Sequence, residues 1–214
     1  MSGAGRLRAA VVGLGIGRHH VRAFATHPRV DLVAVCDADS DRLARLQGEH
    51  PATGTYSDLE AMLARESLDL VTVCTPDWLH AEMGIAALRA GAHVISVKPL
   101  TTTLEDARRL LAAAEASGRK LMVAHERRFH PRYLAIKRVL DAGLLGDLFY
   151  LELDTFVHKG RQFAAAPWYK SAQHPRAAIL GTGSHAVDLL RWFGGEVQDA
   201  WRAVPPREQA RVSH

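Results

Sequence analysis

The segment Gly13-Leu14-Gly15-Ile16-Gly17 follows the apolar run Ala9–Val12 and leads into an amphipathic stretch. Glycines at such a turn let backbone amides approach a pyrophosphate, and the helix N-terminus behind them adds positive potential. The GxGxG spacing is one residue short of GxGxxG, and a tight strand–helix turn without any ligand would look the same. The strand–turn–helix context favours dinucleotide binding through Gly13, Leu14, Gly15, Ile16 and Gly17. Asp37 strengthens that reading, because it ends the next apolar run 24 residues after Gly13. An acid at about that distance can accept from both hydroxyls of an adenosine ribose and repels a 2′-phosphate. Asp37 could instead cap the following helix, but Asp39 can do that and leave Asp37 free. Ala38 and Asp39 follow with no arginine to pair a phosphate, so NAD is expected over NADP. Lys98 is a third candidate: a charge at the carboxyl end of an apolar run sits where parallel sheets bind ligands.

These groups need a frame, and the first 125 residues supply one by alternating short apolar runs with amphipathic stretches. Ala9–Val12, Val30–Cys36, Thr53–Tyr56, Leu70–Cys74, His93–Val97 and Lys120–Ala124 read as strands. Helices are expected from about Gly17 to Thr26, over Asp39–His50 with Leu43 and Leu46 inward, over Trp78–Ala90 ended by Gly91, and over Leu104–Ser117 ended by Gly118. Ser57 and Glu60 are spaced as a capping box for a further short helix. Strict alternation implies parallel strands with helices on both faces, a doubly wound α/β domain.

The pattern then changes. Pro131–Ala142 reads as a helix and Leu148–Val157 as a ten-residue strand with Phe149, Leu151, Leu153 and Val157 on one face. A polar stretch and a helix around Ser184–Phe193 follow. The expected division is a dinucleotide-binding domain over 1–125, a partial α+β domain over 126–204 and a disordered tail over 205–214.

Composition bounds the remainder. With 48% hydrophobic and 23% charged residues the chain is ordinary globular material, and no run reaches the ~18 apolar residues of a membrane helix. The net charge of +4 comes mostly from arginines scattered along the chain, which argues against a nucleic-acid partner. Cys36 and Cys74 lie in apolar runs and read as buried thiols of a reducing, cytoplasmic compartment. No Cys/His spacing suggests a metal. Arg18-His19-His20 and Arg22 after the first apolar run are wrong for a cleaved signal, so the segment reads as mature protein.

The segment CTPDWLHAEMGIAALRAGAHVISVKPL (Cys74–Leu100) resembles the signature of the glucose–fructose oxidoreductase / inositol dehydrogenase / MocA family. Further matching motifs are the Gly13–His20 turn, HERRFHP at His125–Pro131, GLLGD at Gly143–Asp147, Trp168, and GSHAVDLLRWFGGEV at Gly183–Val197. The resemblance implies a Rossmann domain, a second domain on a large open sheet, and hydride transfer between a nicotinamide cofactor and a sugar, polyol or related alcohol. By position, Thr75, Pro76 and His80 would line the nicotinamide side, and Lys98 would point at the reacting carbinol, holding its oxygen and shuttling its proton. His185 would be the general base, with Asp188 one turn on able to orient it, and Trp168 and Asp188 would face the substrate.

The chain also departs from that pattern. The family's Glu-Lys-Pro is Val97-Lys98-Pro99, its Asp four residues before the histidine is Gly181, and its glycine-rich turn is Arg176-Ala177. The sequence ends soon after Trp201, where the family's second sheet would continue, so it reads as C-terminally truncated. Two function classes stay open, an oxidoreductase or a non-catalytic nucleotide-binding remnant. The apolar face at 149–157, with little sheet to cover it, points to a homo-oligomer.

Overall fold

A computed structural model describes residues 5–156, 168, 171, 173–174, 177 and 179–200. Six strands form one wholly parallel sheet in the order β3-β2-β1-β4-β5-β6. They are β1 (Leu7–Val12), β2 (Val30–Cys36), β3 (Gly54–Tyr56), β4 (Leu70–Val73), β5 (His93–Val97) and β6 (Leu121–Ala124). Between them run α1 (Leu14–Thr26), α2 (Ser40–Glu49), α3 (Leu59–Arg65), α4 (His80–Arg89) and α5 (Leu104–Ser117). The expected α/β domain is therefore present, with α1 beginning three residues earlier than its sequence pattern suggested.

Period-two alternation sorts the strand side chains onto two faces. Ala10, Val12, Ala34, Cys36, Val71, Val73 and Val94 pack with Met62, Ile85, Leu88 and Leu110 from α3, α4 and α5. Val11 and Val35 pack on the other face with Leu14, Val21 and Leu46 from α1 and α2. Chain order reverses at β1, which pairs with β2 on one side and β4 on the other. The loops after β1 and β4 leave in opposite directions there and open a crevice at the carboxyl edge.

Beyond the sheet, a 3-10 turn (Glu126–Phe129) leads into α6 (Pro131–Asp141), and a π-type turn (Ile179–Gly183) leads into α7 (Ser184–Gly194). The expected strand over Leu148–Val157 is not formed over 148–156, and Val157 lies outside the described residues. Alternation gives a segment two faces, but a strand also needs a neighbour to satisfy its amides and carbonyls. Among the described residues this segment has none, and Phe149 is 99% exposed and Phe156 92%. The sequence-expected tail and most of the polar stretch 158–176 also lie outside the described residues.

The capping box needs a smaller correction. Asp58, not Ser57, is the N-cap of α3, and its carboxylate accepts from the Ala61 amide at 2.8 Å. The helix starts one residue later than the box requires, and a carboxylate is at least as good an acceptor as the hydroxyl. Asp58→Ala should therefore cost about 1 kcal/mol in urea unfolding. Ser57→Ala, at an exposed position outside the cap, should cost under about 0.5 kcal/mol. Equal losses would return the cap to Ser57.

Candidate active site at the carboxyl edge of the sheet

The three glycines of the first turn meet three different constraints. Gly13 has φ +87°, and a Cβ there would lie 2.7 Å from the Cys74 carbonyl carbon and oxygen. A Cβ on Gly17 would lie 2.9 Å from Val11 Cγ1 and 3.1 Å from Cys74 Cβ, so α1 seats directly on the sheet. Gly15 faces nearly open space, with only Arg42 Nη1 at 3.9 Å. Tight turn, close backbone approach and close helix packing are the requirements of a pyrophosphate-binding turn. The N-terminus of α1 has no side-chain cap and no acid in its first turn, which suits an anion. These features fit a dinucleotide. Leu14 sends its side chain into the core, while Ile16 stands exposed on the first turn.

Asp37 is nearly buried beside this turn. Its Oδ2 accepts from the Leu14 amide at 2.5 Å and its Oδ1 from the Asp39 amide at 2.9 Å. Asp39 caps α2 by accepting from Asp41 and Arg42 amides, so Asp37 is free of capping duty, as its position suggested. The expectation that no arginine stands here needs correcting. Arg42 is three residues into the helix from Asp39, and one helical turn brings it back to Asp37 and Asp39 at 3.4 and 3.2 Å. The i, i+3 spacing from the cap was the signal for it.

Thr75 and Pro76 form the turn after β4. The Thr75 hydroxyl is buried with no hydrogen-bond partner among the described residues. His80 is placed differently from expectation. Its ring is fully enclosed, with Nδ1 2.8 Å from the Pro99 carbonyl and Nε2 2.9 Å from the Thr75 carbonyl. The first turn of α4 places the ring between the Thr75 and Pro99 carbonyls, out of reach of solvent. Trp78 is met edge-on by Trp168 at 5.4 Å and stacked by His174 at 4.2 Å, which brings Trp168 to the Thr75–Pro76 turn.

Lys98 follows β5, and its Nζ donates to the Gly181 carbonyl at 3.0 Å. The π-type turn that holds Gly181 brings it to Lys98, the position where the family motif would carry an acid. His185, in the first turn of α7, is buried, and its Nδ1 has no hydrogen-bond partner among the described residues. Its Nε2 lies 3.5 Å from Glu126 Oε1. Asp188 does not orient it. Arg128 clasps that carboxylate through three contacts of 2.7, 2.9 and 3.1 Å, and His125 Nδ1 lies 3.8 Å away. A forked guanidinium pairs with both carboxylate oxygens at once, so Arg128 holds Asp188 against the 3-10 turn.

Sequence reasoning thus missed the parts of His125, Glu126 and Arg128. Their place immediately after β6, at the ligand-binding edge, was the available signal. The His125 and His185 rings meet edge to face at 6.1 Å. Burial pushes the His185 imidazole down to about 4, against the opposing pull of Glu126 and with help from Lys98, Arg127 and His125. Burial also lowers His125, opposed by Asp188. Both rings are therefore neutral near pH 7, and the same burial makes each a weaker base than a free imidazole. The two thiols are free, and burial raises Cys36 to about 11 and Cys74 to about 12, which leaves them unreactive. Among the described residues no group of three or more His, Cys, Asp or Glu side chains could hold a metal ion.

Residues 7–125 match the family model described as "Oxidoreductase family, NAD-binding Rossmann fold", and residues 133–209 match the GFO/IDH/MocA C-terminal domain. The chain is 35% identical over 205 residues to inositol 2-dehydrogenase 2 of Saccharopolyspora erythraea, covering 94% of this chain and 58% of that protein. It is 33% identical over 193 residues to D-apiose dehydrogenase of Paraburkholderia graminis, covering 90% and 51%. Among solved structures it resembles the WlbA dehydrogenase of Bordetella pertussis in complex with NADH and UDP-GlcNAcA, with TM-score 0.78 and 28% identity over 89% of this chain and 56% of that one. The chain spans somewhat more than half the length of these relatives.

The depressed His185 has a consequence for stability. Its folded pKa lies below that of the unfolded chain, so the unfolded state binds more protons between pH 6.5 and about 4. Stability is complete above pH 6.5 and falls as the pH drops through that window. Urea unfolding at pH 7.5 and 5.5 should show a loss of about 1 kcal/mol from this group. His185→Asn should flatten the difference, and an unchanged slope in that variant would refute the assignment.

Proposed function

Because the chain belongs to the glucose–fructose oxidoreductase / inositol dehydrogenase / MocA family, we propose that it is an NAD-dependent oxidoreductase acting on a sugar, polyol or related alcohol. The observation that carries the proposal is the assembly, at one sheet edge, of the glycine turn, Asp37, Lys98 and a neutral His185. A bound nicotinamide supplies the hydride acceptor. Amides of the Gly13–Gly17 turn would hold the pyrophosphate, and Asp37 the ribose hydroxyls. The unpaired Thr75 hydroxyl, with Pro76, borders the nicotinamide side, while His80 fixes the carbonyls on which that border hangs. Lys98 would bind the substrate oxygen through its ammonium, and His185 would accept the hydroxyl proton. Trp168 and Trp78 offer an apolar wall for the carbon face of a ring, while Asp188 holds Arg128 over Trp192 elsewhere in the second part of the chain.

The same reading divides the chain into a cofactor domain over 1–125, a substrate and oligomerisation part over 126–204 and a tail over 205–214. It places the protein in the cytoplasm, a reading supported by two free, buried cysteines. No helix among the described residues is long and apolar enough to cross a membrane.

A second reading, nucleotide binding without turnover, is favoured by one specific observation. Gly181 carries no carboxylate, and the Lys98 ammonium rests on its backbone carbonyl instead. NADH production across a panel of polyols and sugars, with calorimetric titration of NAD+, separates the two. The enzyme reading expects weak turnover, a gain toward about 10²-fold in Gly181→Asp, and loss of activity with retained NAD+ binding in Lys98→Ala. If wild type and Gly181→Asp both bind NAD+ and neither turns over, binding alone is the function.

Leu144, Leu145, Phe149 and Phe156 stand exposed on the segment after α6. Such surface favours self-association, and sedimentation should show an oligomer. A monomer at every concentration would count against it.

A further inference from the structure

Arg42 stands at the rim of the crevice, where the adenosine end of a dinucleotide would lie over the glycine turn. Its Nη1 is 3.4 Å from Asp37 Oδ2, its Nε is 3.2 Å from Asp39 Oδ2, and the side chain is 43% exposed. The two carboxylates are not equivalent. Asp37 is anchored, since each of its oxygens accepts from a backbone amide and it is only 8% exposed, which leaves its remaining lone pairs for a ribose. Asp39 caps α2 through Oδ1 alone, so Oδ2 is the oxygen that restrains the guanidinium.

Two carboxylates and one guanidinium leave this locus with one net negative charge. A ribose with a free 2′-hydroxyl is neutral and donates to Asp37. A 2′-phosphate would bring nearly two further negative charges to the same spot. Yet a guanidinium is the side chain best shaped to take a phosphate, and it sits in the first turn of α2, where the helix dipole also favours an anion. An exposed ion pair holds its partners only weakly, so the guanidinium can be freed at small cost.

We propose that Arg42 is the residue that sets NAD against NADP in this chain, a ligand for the 2′-phosphate kept out of use by its pairing with Asp39. Discrimination against NADP then comes from the charge balance of Asp37, Asp39 and Arg42, not from the lack of a cation. The inference rests on the reading that the crevice binds a dinucleotide, and its test is built to fail separately from that reading.

The test is calorimetric titration of NAD+ and NADP+ into wild type, Asp39→Ser, Arg42→Ala and the double variant at low ionic strength. Serine keeps the cap of α2 while removing the charge, and Asp39→Asn repeats the test if the serine variant fails to fold. Asp39→Ser is expected to lower the ratio of the NADP+ to the NAD+ dissociation constant about tenfold. Arg42→Ala should raise that ratio, and in the double variant the gain should vanish. If Asp39→Ser and the double variant shift the ratio equally, the gain is loss of repulsion alone and Arg42 is no phosphate ligand. If the ratio is unmoved in every variant while NAD+ still binds, the inference falls and the crevice reading stands. Folded wild type that binds neither nucleotide sinks the crevice reading and this inference with it.

Discussion

The candidate site depends on one close approach, that of the loop after β4 to the turn after β1. Gly13 permits it, because a side chain there would occupy the space of the Cys74 carbonyl. Gly17 performs the same service one turn on, where α1 lies against Val11 and Cys74. With these two positions filled by larger residues, α1 would lift from the sheet and the crevice between β1 and β4 would lose its floor. Asp37 then ties the turn to β2 through the Leu14 amide, so strand order, glycine turn and this acid form one connected unit.

The far side of the crevice is governed by burial and charge. Lys98, Arg127 and Arg128 bring cations to a region where His125 and His185 are largely withdrawn from water. Burial and those cations favour neutral imidazoles and lower their proton affinity, while Glu126 and Asp188 oppose the shift. Asp188 belongs to this balance, because its pairing with Arg128 removes one free positive charge from the neighbourhood of the rings. The π-type turn before α7 adds the last contact by placing the Gly181 carbonyl against the Lys98 ammonium.

His80 shows how a residue can belong to a site without facing it. A histidine in a motif at a strand end suggests ring contact with a ligand. Here both ring nitrogens face backbone carbonyls, those of Thr75 and Pro99, and the ring fills the space between the two loops that border the crevice. Its contribution is the spacing between the Thr75 turn and Lys98.

The local pattern of the sequence determined the six strands, the helices between them and the glycine turn, since each depends on periodicity and turn chemistry within a few residues. Val30–Cys36, His93–Val97 and Leu104–Ser117 have the boundaries that pattern predicts. Asp37 and the buried state of Cys36 and Cys74 were legible for the same reason. The partners of charged side chains were not, because they are settled by which groups distant elements bring together. Arg128 reaches Asp188 across 60 residues and Lys98 reaches Gly181 across 83. The segment 148–156 marks the other limit. Its alternation is a property of sequence, but a strand exists only where a neighbouring strand meets its backbone groups, and that is decided by tertiary structure alone.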